Sequence, residues 1–179
     1  MRKILFFLGQ LNDSDLEWII RHGRRQQISA GSVLIDEGRP VDSVFILLQG
    51  VLLVSSSSLG PNTVRLCSGE VVGEMSLLDS RPPSATVTAE QDSIVLALPR
   101  DELLASLAEN AEFAARFYRS MAMFLCHRMR NLYQQLGYGK GQPLQEDQAY
   151  EDELSPELLD SVHLAASRFD RALQRILAS

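Results

Sequence analysis

GEVVGEMSLLDSRPPSATVTA, residues 69–89, is the stretch whose reading decides the fold. It opens on Gly69-Glu70-Val71-Val72-Gly73-Glu74, where Gly73, lacking a Cβ, lets the backbone come close to a neighbouring group. Met75-Ser76-Leu77-Leu78 then makes one short helical turn, whose first N–H groups have no partners inside the helix and face outward toward an anion. The stretch closes on Ser84-Ala85-Thr86-Val87-Thr88-Ala89, a β-branched run that reads as a strand carrying the chain back into a sheet.

Upstream, the hydrophobic pattern has the short period of strands. Gln27-Ile28-Ser29-Ala30, Val33-Leu34-Ile35, Val44-Phe45-Ile46-Leu47-Leu48 and Val51-Leu52-Leu53-Val54 are punctuated by Gly31, Gly38 and Gly50. Ser55 to Asn62 reads as a plain polar hairpin turn before Val64-Arg65-Leu66-Cys67. Downstream, Ser93-Ile94-Val95-Leu96-Ala97-Leu98 is a last strong strand that Pro99 ends, and Asp101 or a neighbour caps a helix holding Leu103, Leu104 and Leu107. Short strands spaced by glycine turns predict an antiparallel β-roll or jelly roll from about Arg25 to Leu98, an α+β, mainly β, fold with helices on either side. The helix before the roll starts at Asn12-Asp13-Ser14-Asp15, carries Leu16, Trp18, Ile19 and Ile20, and stops at Gly23.

Residues 69–89 resemble the phosphate-binding cassette of the cyclic-nucleotide-binding domain family. Gly73, Glu74, Ser76, Leu77, Pro82, Ser84, Ala85, Thr86 and Val87 match its pattern. The glycine after Glu37 and the glycine after Gln49 match as well, so the resemblance spans about Phe6 to Leu136. It implies a roll of the cyclic-AMP receptor protein type. It also implies a ligand site made by Gly73, Glu74, Met75, Ser76, Ser84, Ala85 and Thr86, in which Glu74 takes a ribose hydroxyl and backbone N–H groups take a cyclic phosphate. cAMP or cGMP is the implied ligand, and no resident cofactor or metal is implied.

One position departs from the pattern: where the family carries an arginine that pairs with the phosphate, this chain has Pro83. Proline supplies neither a charge nor an N–H. A carboxylate about 6 Å from a phosphate, at an effective dielectric of about 20, is repelled by about 3 kcal/mol, which lowers affinity on the order of a hundredfold. Arg81, two residues upstream, and Arg65, on the preceding strand, are the candidate substitutes. Two readings therefore stand: a sensory module for a cyclic nucleotide or related phosphate ligand, and a degenerate domain that keeps the roll for protein contact.

The longest helical signal is Ala111 to Leu136, where Phe113, Phe117, Met121, Leu125, Met129, Leu132 and Leu136 step by three or four and Ala114, Tyr118, Ala122 and Phe124 widen the stripe. It packs on its own roll, or in part on a second copy as a homodimer. Residues 1–136 form the domain, and 137–154 read as an acidic linker. Residues 155–179 form a last amphipathic helix that starts at Ser155-Pro156-Glu157 and uses 155–177 to reach its own dimer or a partner protein. Transcription-factor relatives continue into a winged helix-turn-helix, and a single helix after an acidic linker predicts no direct DNA binding.

Composition sets the outer limits. The 179 residues are 45% hydrophobic with a net charge of −6, which suits one packed domain with an appendage and disfavours nucleic acid or anionic membrane as partners. No run is long enough for a membrane span. Cys67 and Cys126 have no metal-like spacing and read as buried free thiols of a reducing cytoplasm. His22, His127 and His163 are far apart on predicted helices, and Glu74 lacks an acid–base partner, so the expected chemistry is binding rather than catalysis.

Overall fold

The computed structural model describes residues 10–58, 63–135 and 174. The linker at 137–154, the terminal helix at 155–177 apart from residue 174, the tip of the turn at 59–62 and His163 lie outside the described residues. In chain order the elements are α1 (Asp13–His22), β1 (Arg24–Ile28), β2 (Val33–Ile35), β3 (Ser43–Gln49), β4 (Val51–Ser55), β5 (Thr63–Cys67) and β6 (Val71–Val72). They continue with α2 (Glu74–Asp79), β7 (Thr86–Ala89), β8 (Ser93–Pro99), α3 (Arg100–Glu109) and α4 (Ala111–Gln135).

The strands form two four-stranded sheets, ordered β1-β8-β3-β6 and β2-β7-β4-β5, and every pairing among the described residues is antiparallel. This is the expected roll with helices around it. The sheets face each other across Phe45, Leu47, Leu52, Leu66, Val87 and Val95. The outer face of the first sheet, through Val44, Ile46, Leu48, Leu96 and Leu98, is covered by Leu16 and Ile19 of α1, Leu103 of α3 and Phe113 and Phe117 of α4. That double coverage is why β3 reads as an unbroken apolar run, Val44 to Leu48, all buried. In β4, covered on one face, only Leu52 is buried.

Local rules place the helices. Asn12 caps α1 in a reciprocal capping box with Asp15, whose buried carboxylate also accepts from Arg116 Nε at 2.6 Å and Nη2 at 3.0 Å. That bidentate pair ties α1 to α4. The strand expected at 27–30 starts earlier, at Arg24, because β1 takes its register from β8 directly after α1 ends. The strand expected from Ser84 begins at Thr86, and α2 runs six residues rather than four. Pro99, not Asp101, is the N-cap of α3; it caps without a side-chain bond and Asp101 sits in the first turn.

Helix α4 corrects the apolar stripe. Among its described side chains the buried ones are Phe113, Phe117, Ser120, Met121 and Phe124, whereas Met129 is 51% and Tyr133 49% exposed. Steps of four overshoot a 3.6-residue turn, so the sequence-drawn stripe drifts by about 160° between positions 113 and 129. By Met129 the stripe has therefore left the roll and looks outward. Both cysteines also differ from expectation: they are free but exposed, Cys67 on β5 at the edge of the second sheet and Cys126 on the outward side of α4.

Gly50 is where the chain crosses between sheets, from β3 to β4, at φ +107°. A Cβ there would stand 2.2 Å from Ser93 Oγ and 2.7 Å from Ser93 Cα. Combining an unfavourable backbone conformation with overpacking, Gly50→Ala is expected to lower stability by about 2–4 kcal/mol, measured as a drop in the urea midpoint at unchanged slope. An unshifted midpoint would show that the crossing tolerates a side chain.

Candidate functional site

The cassette is a helix held at both ends. At its start Gly73 adopts φ +83°, and a Cβ on it would lie 2.9 Å from the Ser43 carbonyl of β3, so only glycine lets α2 begin this close to the sheet. At its end Ser80 adopts the left-handed conformation, φ 57°, returns its N–H to the Ser76 carbonyl, and accepts from Arg100 Nη2 at 2.9 Å. Arg100 opens α3, and its own N–H donates to the Asp42 carbonyl.

Between those ends Glu74 turns inward. It is 3% exposed, and Arg128 of α4 donates from Nη1 to its Oε1 at 2.5 Å. The same guanidinium reaches Glu70 Oε2 at 3.4 Å and the Val71 carbonyl at 3.1 Å, and lies 5.0 Å over the Phe124 ring. Burial pushes the Glu74 carboxyl above its ordinary value of 4.5; the Arg128 charge pulls it down and only partly offsets that, and the Glu70 charge adds to the rise. Two buried carboxylates thus share one cation that comes from another part of the chain.

The returning limb of the cassette is held by a second polar group. Gly38 N–H donates to the Pro83 carbonyl at 2.9 Å, Ser56 Oγ donates to the Ser84 carbonyl at 3.0 Å, and Glu37 N–H donates to Thr86 Oγ1 at 3.1 Å. The Glu37 carboxylate accepts from Ser57 Oγ at 2.6 Å and Ser57 N–H at 2.9 Å, and these bonds hold it below the usual carboxylate range. The serine run is accordingly more than a solvated turn: Ser56 is buried and fastens β7 to the loop after β2.

The site residues expected from the sequence fall into separate environments. Gly73, Glu74 and Ser76 are at the inward start of α2, Met75 is exposed beside them, and Ser84, Ala85 and Thr86 enter β7 under the Glu37–Ser56 clasp. Arg81 points to solvent, 83% exposed, with Nε 3.9 Å from Asp79 Oδ2. Arg65 pairs with Glu90 at 2.5 Å. Neither guanidinium is turned to Glu74. Arg128 was not singled out from the sequence; the signal for it is its place four residues after Phe124, in line with the buried face of α4. No group of metal-ligating side chains and no helix long and apolar enough to cross a membrane occurs among the described residues.

Two antiparallel sheets closed into a roll, a short helix inserted between β6 and β7, and a long helix reaching back to that insert define the class of cyclic-nucleotide-binding β-rolls. Residues 25–110 match the sequence model of the cyclic nucleotide-binding domain, and this segment is a domain of that family. A cyclic nucleotide-gated potassium channel of Mesorhizobium japonicum is 31% identical over 111 residues, covering 62% of this chain and 30% of the channel. A cAMP-dependent protein kinase regulatory subunit of Aspergillus fumigatus is 35% identical over 72 residues, 40% of this chain and 17% of the subunit. Among solved structures, a cyclic nucleotide-binding domain of Methylobacillus flagellatus superposes with a TM-score of 0.68 at 21% identity, over 79% of this chain and 85% of that one. The chain spans less than a third of the length of the curated relatives it matches.

The inward pair makes a stability prediction. Because the folded pKa of Glu74 lies above 4.5, the folded chain binds more protons than the unfolded one between pH 4.5 and that pKa. Its contribution is therefore complete below pH 4.5 and is lost as pH rises through the folded value. Wild type should lose stability relative to Glu74→Gln as pH is raised from 4.5 to 7, read from urea midpoints; parallel curves would mean that Arg128 fully offsets burial. Arg128→Met, which strands a buried charge, should cost about 3 kcal/mol in the wild-type background and clearly less beside Glu74→Gln.

Proposed function

We propose that this chain is a regulatory module that holds a cyclic nucleotide, cAMP or cGMP, or a related phosphate-bearing ligand, in the cassette and relays its occupancy to α4. The observation that carries this reading is the Arg128–Glu74 bond, which joins the residue placed for a ligand hydroxyl directly to the long helix. A hydroxyl that accepts a place on Glu74 competes with Arg128 for the same oxygens. The guanidinium then shifts toward Glu70, the Val71 carbonyl or the ligand itself, and the position of α4 shifts with it. This is binding and relay, not catalysis. The matched relatives, a gated channel and a kinase regulatory subunit by name, are consistent with a domain that reports to something else.

The output has two candidate surfaces. The outward side of α4 bears Tyr118, Met129 and Tyr133, each more than two-fifths exposed, and a second copy packing there would bury them in a symmetric dimer. The 155–177 segment supplies the other, toward that dimer or a partner protein. A soluble, cytoplasmic role without direct DNA contact fits this reading. A second reading, a protein-contact module that binds no nucleotide, is favoured by Pro83 and by the outward turn of Arg81 and Arg65.

Titration calorimetry with cAMP, cGMP and a cyclic dinucleotide decides between them. Saturable heat that Glu74→Gln weakens, and that Arg81→Ala leaves within about twofold, is the expected result; silence at millimolar ligand selects the protein-contact reading. Light scattering should give a dimer mass for the full chain, reduced to a monomer by Met129→Glu with Tyr133→Glu, and a monomeric wild type would remove the dimer.

A further inference from the structure

The roll has a seam on the side of β1 and β2. β1 is the edge of the first sheet and pairs only with β8, β2 is the edge of the second and pairs only with β7, among the described residues. The chain leaves one sheet and enters the other through Ser29–Ser32, so the two edges run beside each other without bonding. Between them is an open cleft of about 540 Å³. Arg24 through Gln27 are all exposed, and the backbone groups on the far side of β1 have no ladder partner among the described residues.

The lining of this cleft is divided. Ile28, Val33, Leu34 and Phe45 make one end apolar, and Val33 is 56% exposed there. The other end, beside Arg24 and Pro99, carries Asp42, Asp101 and Glu102. Arg24 answers Glu102 at 2.9 Å, which leaves Asp42 and Asp101 as the net charge of that end.

We propose that this seam is a docking site for an extended, cationic segment of a partner protein, which adds as a fifth strand to the free edge of β1. Three independent features select that occupant. An unpaired edge of five residues accepts a strand of about the same length at about 4.8 Å spacing. Alternate side chains of the added strand face the cleft, where the floor takes apolar groups at one end. The two uncompensated carboxylates take a lysine or arginine at the other. The same charges disfavour an acidic segment at that end.

The site is not isolated from the cassette. Ser43, in the cleft lining, presents the carbonyl against which Gly73 packs, and Asp42 receives the backbone N–H of Arg100, whose side chain holds Ser80. A strand seated on β1 therefore rests on the residues that hold both ends of α2. The inference does not depend on any nucleotide being bound.

The test uses the full chain and a blocked heptapeptide, Ile-Thr-Val-Thr-Lys-Thr-Lys, with its reversed sequence, a glutamate-for-lysine counterpart and a version N-methylated at alternate amides. Fluorescence anisotropy and hydrogen exchange of the β1 amides are read together. One orientation of the cationic peptide should bind and slow exchange within Arg24–Ile28, while the glutamate and N-methylated versions bind at least tenfold more weakly. Asp42→Asn with Asp101→Asn should weaken binding at least tenfold, and Asp13→Asn with Glu109→Gln, the same charge change elsewhere, by less than twofold. Equal losses in the two double variants, or undiminished binding of the N-methylated peptide, would overturn the proposal. So would protection, without peptide, of those β1 amides that face away from β8, which would mean that another segment of the chain or a second copy occupies the edge.

Discussion

One guanidinium is shared by two carboxylates that the fold has put out of reach of water, and much of the molecule is arranged around that contact. Glu70 and Glu74 are buried because β6 and the start of α2 must pass beneath α4 to close the roll. Charges so placed demand a partner, and Arg128 can supply it only if α4 crosses the cassette at one particular height and rotation. The rotation is what turns Phe117, Met121 and Phe124 into the core, and it is also what turns Met129 and Tyr133 out of it. The Arg128–Glu74 contact and the Asp15–Arg116 pair together set which face of the longest helix meets the roll and which looks outward.

The strands were legible because their determinants are local. The apolar run of β3, the glycines that end strands and the β-branched approach to β7 each depend on a few neighbouring residues, and the roll follows from their spacing. Their ends were less so: β1 begins three residues before its apolar signal, because its first residues are held by β8 and not by their own side chains. The resemblance carried by Gly73, Glu74 and the 84–87 run identified the domain for the same reason, being contiguous in sequence.

What escaped the sequence is what depends on rotation or on distance along the chain. Arg128 is 54 residues from Glu74, and nothing in its own neighbourhood marks it except its phase along α4. The stripe drawn in steps of four lost that phase by the middle of the helix, which misassigned Met129, kept Phe124 only as a widening residue and passed over Arg128. The cysteines failed in a similar way, since apolar neighbours do not say which side of an edge strand or helix meets solvent. Glu37 and Ser56 belong with them: each is an ordinary loop residue until the roll brings the loops after β2 and β4 to the same limb of the cassette.

The bidentate hold of Asp15 on Arg116 gives α4 a mechanical character. It pins the helix near its N-terminal end to α1, so any tilt about position 116 would grow with distance along the helix. At about 1.5 Å per residue, Arg128 stands about 18 Å from that position and the last described turn about 28 Å. A tilt of about 10° then carries Arg128 through about 3 Å, enough to exchange one hydrogen-bond partner for another, and the far end through about 5 Å. On the proposed relay the gain lies in the lengths of the two arms, and a changed bond at Glu74 would leave the domain as a sideways displacement of about 5 Å at the far end of the helix.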